Sequence, residues 1–170
     1  GKTFIDMARV DKIFHNISRG SLTLGEVMDE IGEFISLKPE REYKIVIGSD
    51  SATKNPVSVV STITIWRVGN GGMYFWTRAR EAVFHTLGDR MIAEAMQSIL
   101  LAQEMKSRLR EKFGEEAFWD KRLEVHLDIG VNGETKKFID TIVGMVRGYG
   151  LYPVIKPSSF GASSVADRHT

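Results

Sequence analysis

Apolar residues recur along this chain with two different periods, and each change of period marks an element. Tyr43-Lys44-Ile45-Val46-Ile47-Gly48-Ser49-Asp50 is a β-branched run that predicts a buried strand ending on an aspartate. Residues 57–68 are dense in Val, Ile and Thr, which suits a long second strand. Gly69-Asn70-Gly71-Gly72 signals a hairpin, and Met73 to Arg80 returns as a third strand. From Leu87 to Lys112 the period lengthens. Ile92, Met96, Ile99 and Gln103 mark one stripe of a long helix, with Ala95, Leu100 and Ala102 nearby, and Gly114 ends it. Leu123-Glu124-Val125-His126-Leu127-Asp128 predicts a fourth strand, and Gly130 to Gly133 a turn. A second helix runs from Glu134 to Arg147 with Phe138, Ile142, Val143 and Val146 facing inward. Tyr152 to Lys156 is a fifth strand closed by Pro157, and residues 162–170 begin a last helix.

Residues 1–40 differ in character. Thr23 and Glu26 have the spacing of a capping box, and Val27, Ile31, Phe34 and Ile35 follow with helical period until Lys38-Pro39. Phe4 to Ile17 reads as a shorter helix or arm, and Ser18-Arg19-Gly20-Ser21 as a loop. The expected organisation is a helical arm over 1–40 packing on an α/β domain over 41–170. Its order is β-β-β-α-β-α-β-α, with five strands in a mixed sheet. The last two strands flank a helix and should be parallel with a right-handed crossover. Helices are then expected on both faces of the sheet.

Composition narrows the chemistry. At 170 residues the chain is long enough to bury a core, and 42% hydrophobic with 26% charged residues is ordinary for a globular protein. With no cysteine there is no disulfide framework and no thiolate-ligated zinc or iron–sulfur site. That fits a reducing compartment, and a cytoplasmic location is the expectation. No apolar run approaches the ~20 residues of a membrane span. Gly1-Lys2-Thr3-Phe4-Ile5-Asp6 does not read as the apolar core of a secretory signal. The net charge of +1 argues against a binder that relies mainly on neutralising phosphates, though a local patch would suffice.

Four acids stand at suggestive places. Asp50 ends the first strand, where a turn residue is the plainer reading. Asp128 ends the fourth strand; alternation puts Leu123, Val125, Leu127 and Ile129 on one face and Glu124, His126 and Asp128 on the other. Polar residues there are costly if the face is covered and unremarkable if it is solvated. Glu94 borders the apolar stripe of the long helix, and taken singly is an ordinary surface glutamate. Asp167 shares a helical face with Ser163 and Ser164. Lys156 lies at the end of the fifth strand, where ligands of such sheets gather. Carboxylates at strand ends and on flanking helices can converge on hard divalent cations. No phosphate-binding or dinucleotide glycine motif competes, and the four histidines have no zinc spacing.

The order of elements resembles the ribonuclease H-like fold. More closely, the chain is similar to the bacterial YkuK-type family of predicted RNase H-like proteins. The resemblance rests on Ile47-Gly48-Ser49-Asp50-Ser51, His126-Leu127-Asp128-Ile129-Gly130, Val143-Gly144-Met145-Val146, Lys156-Pro157-Ser158-Ser159 and Ala162-Ser163-Ser164-Val165-Ala166-Asp167-Arg168, and covers residues 25–170. It implies adjacent, parallel first and fourth strands that bring Asp50 and Asp128 together with Glu94 and Asp167. The interval before the long helix is not fixed by a motif, so Asp89 or Glu81 is the fallback for Glu94. The implied activity is hydrolysis of nucleic-acid phosphodiesters (RNA, DNA or hybrid) with two Mg²⁺ or Mn²⁺ ions about 4 Å apart. Asp50 would bridge them, Lys156 would steady developing charge, and His126 would orient Asp128 or shuttle a proton. Two other readings stay open. One is a catalytically weak binding module for nucleic acid or protein. The other is nucleotide phosphoryl chemistry using Ser51-Ala52-Thr53-Lys54. The oligomeric state is open, a homodimer included.

Overall fold

The computed structural model describes residues 12–51, 54–114, 122–130 and 133–155. Its described strands are β1 (Phe14–Asn16), β2 (Gly20–Leu22), β3 (Tyr43–Ser51), β4 (Val59–Arg67), β5 (Gly72–Arg78), β6 (Leu123–His126) and β7 (Tyr152–Val154). The described helices are α1 (Leu24–Leu37), α2 (Leu87–Phe113) and α3 (Ile139–Gly148), the last entered through a 3-10 turn over Glu134–Phe138. All seven strands form one sheet in the order β2-β1-β5-β4-β3-β6-β7. β6 pairs in parallel with β3 and with β7; the remaining neighbours are antiparallel. The meander and the β6-α3-β7 unit are as the pattern predicts, and the β3–β6 adjacency is as the resemblance implies.

Among the described residues seven strands replace the expected five, because 14–22 is a hairpin and not a helix or loop. Phe14 and Leu22 pair in register, and both are buried. Asn16 Oδ1 accepts from the backbone N–H groups of Ser18 and Arg19, each at 2.9 Å, which closes the turn. Gly20 follows at φ +73°, a conformation that favours glycine. Each strand is three residues long, too short for period 2 to show in sequence. His15 then pairs with Trp76, joining the hairpin to β5.

One face of the sheet carries the core. Ile45, Ile47, Ile63, Ile65, Phe75, Leu123 and Val125 pack there with Val27 and Ile31 of α1, Met91, Ala95, Ile99 and Met105 of α2, and Ile142 and Val146 of α3. The described helices therefore share one face, where both faces were expected to be covered; the segment 162–170 lies outside the described residues. The stripe of α2 also differs from expectation. It runs Met91-Ala95-Ser98-Ala102-Met105-Leu109, and Ile92 is 40% exposed. Several alanines let α2 lie close to the strands, so burial follows proximity more than side-chain size. The capping box is present: Glu26 N donates to Thr23 Oγ1 at 3.2 Å, and Thr23 N donates to Glu26 Oε1 at 3.0 Å.

At the opposite end, Arg67 ties α1 to the sheet. Its Nε donates to Tyr43 Oη at 3.0 Å, its Nη2 donates to the Phe34 carbonyl at 2.8 Å, and its guanidinium lies 4.0 Å from the Phe34 ring centroid. A cation at a helix C-terminus meets carbonyls that lack helical partners. Arg67→Met should cost about 2 kcal/mol through the lost charged hydrogen bonds. Melting curves should show Tm lowered by roughly 4–8 °C, as expected for a chain of this size.

Candidate metal-binding acid site

The parallel register sets the site. Ile45 pairs with Leu123, and the pairing continues to Gly48 with His126. The ladder ends there; continued for two more residues it would bring Asp50 beside Asp128. Parallel neighbours lie about 4.8 Å apart, which sets the scale for acids at two adjacent strand ends. β6 itself stops at His126, so Asp128 stands just past the strand end and the predicted alternation does not reach it. Asp50 is 9% exposed, and its Oδ1 accepts from Ser51 N at 2.9 Å.

α2 brings the third acid. Glu94 lies two turns into the helix, on the edge of the buried stripe. Ser51 Oγ, at the end of β3, donates to its Oε1. Ser49, Glu94, Ser98, Asp128, Ile129 and Ile142 line one small cleft. Burial, with the neighbouring Asp128 charge adding to it, pushes the Glu94 carboxyl up from 4.5 to about 7 against the opposing Ser51 hydrogen bond and Arg90 charge. Asp89 and Glu81 are exposed, and Asp89 sits in the capped first turn of α2. Glu94 is thus the helix acid that meets the ends of β3 and β6.

His126 is 9% exposed, and its Nε2 lies 2.9 Å from Glu124 Oε1. Lys44 Nζ stands 3.1 Å from the other oxygen, Glu124 Oε2. The His126 hydrogen bond, joined by Lys44, holds the Glu124 carboxyl below the usual carboxylate range although burial opposes it. His126 Nδ1 is buried without a hydrogen-bond partner, so neither ring nitrogen bonds Asp128. The expected contact orienting Asp128 is absent from this geometry because Glu124, two residues back on the same strand face, takes the ring instead.

Asp167 and Lys156 lie outside the described residues. Among the described residues, no three His, Cys, Asp or Glu side chains are clustered to hold a metal ion. Glu94 and Asp128 nonetheless offer carboxylate oxygens in one cleft, with the Ser51 hydroxyl beside them. An all-oxygen donor set of this kind fits a hard cation. Ser51 stands out in sequence only as the start of a possible phosphate loop, and Ser49 and Ser98 do not stand out. Their signal is small polar residues at otherwise apolar positions: Ser49 in the β3 run and Ser98 in the α2 stripe.

A family model described as ribonuclease H-like matches residues 26–170. This chain belongs to the ribonuclease H-like family. It is also 29% identical over 171 aligned positions to the Bacillus subtilis (strain 168) protein named "Uncharacterized protein YkuK", covering 93% of this chain and 96% of that protein. No solved structure matches. Among the described residues, no helix is long and apolar enough to cross a membrane.

Proposed function

We propose that this RNase H-like chain is a metal-dependent nuclease that hydrolyses phosphodiester bonds of RNA, DNA or their hybrid. The observation that supports it best is the approach of Glu94 and Asp128, from separate elements, in one cleft at the end of β3 and β6. Asp50, Glu94 and Asp128 would hold the cations, with Asp167 as fourth ligand. A bound pair of Mg²⁺ or Mn²⁺ ions supplies Lewis-acid charge at the phosphate and a more acidic water. Asp50 would be shared between them, as the resemblance implies, although it does not line the cleft that Glu94 and Asp128 share. Ser51 steadies Glu94, Lys156 neutralises charge on the phosphate, and buried His126 moves a proton at Nδ1.

The test is cleavage of labelled single-stranded RNA, single-stranded DNA and RNA–DNA hybrid with Mn²⁺. Wild type should cleave at least one, and Asp50→Asn should lower the rate on the order of 10²–10³-fold, the loss seen when a preorganised electrostatic group is removed. Equal rates in the two proteins, or no cleavage and no Mn²⁺ binding by wild type, would overturn the proposal. The net charge of +1 favours a second reading, a binding module. Salt-dependent nucleic-acid binding without turnover would support that instead. The nucleotide reading is disfavoured, because the Ser51 hydroxyl is engaged by a carboxyl group that would repel a phosphate.

A further inference from the structure

We propose that Ser51 is a positioning residue for Glu94, and that a buried serine chain at Ser98, Ser49 and Ser61 sets the helix against the strand so that Ser51 can do this. The proposal rests on the metal reading above. Along β3 the side chains alternate, so Ser49 and Ser51 turn to the helix layer while Asp50 between them does not. Ser98 Oγ donates to Ser49 Oγ at 2.7 Å, and Ser49 Oγ lies 2.7 Å from Ser61 Oγ of β4. Ser98 and Ser61 are 1% and 2% exposed.

Glu94 and Ser98 stand four residues apart on α2, one above the other. The two serines that flank Asp50 therefore grip successive turns of one helix face. Ser49 accepts from Ser98 and shares a second hydrogen bond with Ser61, in which either hydroxyl can donate, so each of the three has a partner. Buried hydroxyls are costly unless paired, which ties this network to a single register of helix on strand. Ser51 then fixes Glu94 Oε1 and leaves Oε2 to face a cation. A glutamate has three side-chain torsions to order on binding a metal, and here the hydroxyl orders them beforehand.

The experiment is Mn²⁺ titration by calorimetry of the full chain carrying Ser51→Ala, Ser51→Thr, Ser98→Ala or Glu94→Gln, with Tm measured in chelator for each. Ser51→Ala should weaken Mn²⁺ binding on the order of tenfold, the scale of outer-shell partners of metal ligands, with Tm nearly unchanged. Ser51→Thr keeps the hydroxyl and should restore affinity. Ser98→Ala should lower Tm and weaken binding less than Ser51→Ala does. If Ser51→Ala binds like wild type while Glu94→Gln does not, the positioning role is wrong and the metal reading stands. If Ser98→Ala weakens binding as much as Ser51→Ala, the effect belongs to helix docking and the role of Ser51 is overturned. If wild type takes up no Mn²⁺, or Glu94→Gln binds it normally, the metal reading fails and this role falls with it.

Discussion

Asp128→Asn should stabilise the metal-free protein and, if the proposed metal site is right, weaken Mn²⁺ binding, two effects of opposite sign from one substitution. Asp128 places a negative charge close enough to Glu94 to raise its pKa, and Glu94 is already disfavoured as an anion by burial. Asparagine keeps the shape and removes the repulsion. At pH 8, in chelator, the gain should be about 1 kcal/mol, a common stability return when a functional charge is neutralised. Mn²⁺ affinity should fall by about 100-fold or more, since the loss of a ligand exceeds the 10–100-fold effect of an outer-shell partner. Thermal unfolding in chelator and Mn²⁺ calorimetry check both. A variant that is less stable in chelator and still binds Mn²⁺ like wild type would place Asp128 in a purely structural role.

Glu94 should make both stability and metal binding depend on pH around neutrality. Its folded pKa of about 7 lies above the ordinary 4.5, so between these values the native state keeps a proton that the unfolded chain has released. Its stabilising contribution is complete below about pH 4.5 and is lost as pH rises through 7. The whole span is worth up to about 3 kcal/mol at 1.36 kcal/mol per unit, an upper limit because water screens part of it. In chelator, wild type should therefore lose Tm between pH 5 and 8 relative to Glu94→Gln, whose profile should be flatter. Metal binding runs the other way. A cation needs the carboxylate, so Mn²⁺ affinity should fall by up to about tenfold per pH unit below 7. Parallel Tm–pH profiles for wild type and Glu94→Gln would remove Glu94 as the group responsible.

The elements that sequence reveals best here are those with many residues to express a period. The β3 run, the β4–β5 hairpin with glycines at Gly69 and Gly71, and α2 up to Gly114 all lie within a few residues of their predicted bounds. The short β1–β2 hairpin does not show, because alternation over three residues is indistinguishable from chance. The buried α2 stripe takes Ala95 and leaves Ile92 exposed, because closeness of helix to sheet selects the smaller residue. Asp50 is legible as a strand-end acid and Asp128 lies two residues past the end of β6, but the parallel pairing of their strands is a property of register, which one sequence does not display. Glu94 gained weight only from its neighbours, Ser51 and Asp128. The serine chain was hidden because serine in an apolar run reads as an interruption until its partners are known.

The hairpin at 14–22 has a further consequence for how copies of the protein meet one another. Without it, β5 would present a seven-residue edge, long enough to template pairing with a second molecule. The hairpin occupies part of that edge, and the described sheet ends instead on β2 and β7, each of three residues. One of these borders carries Gly20 and the other Pro153, which has no N–H to offer a neighbour. Short, interrupted borders give an incoming strand few hydrogen bonds to extend, so the sheet formed by the described strands offers little template for edge-to-edge aggregation.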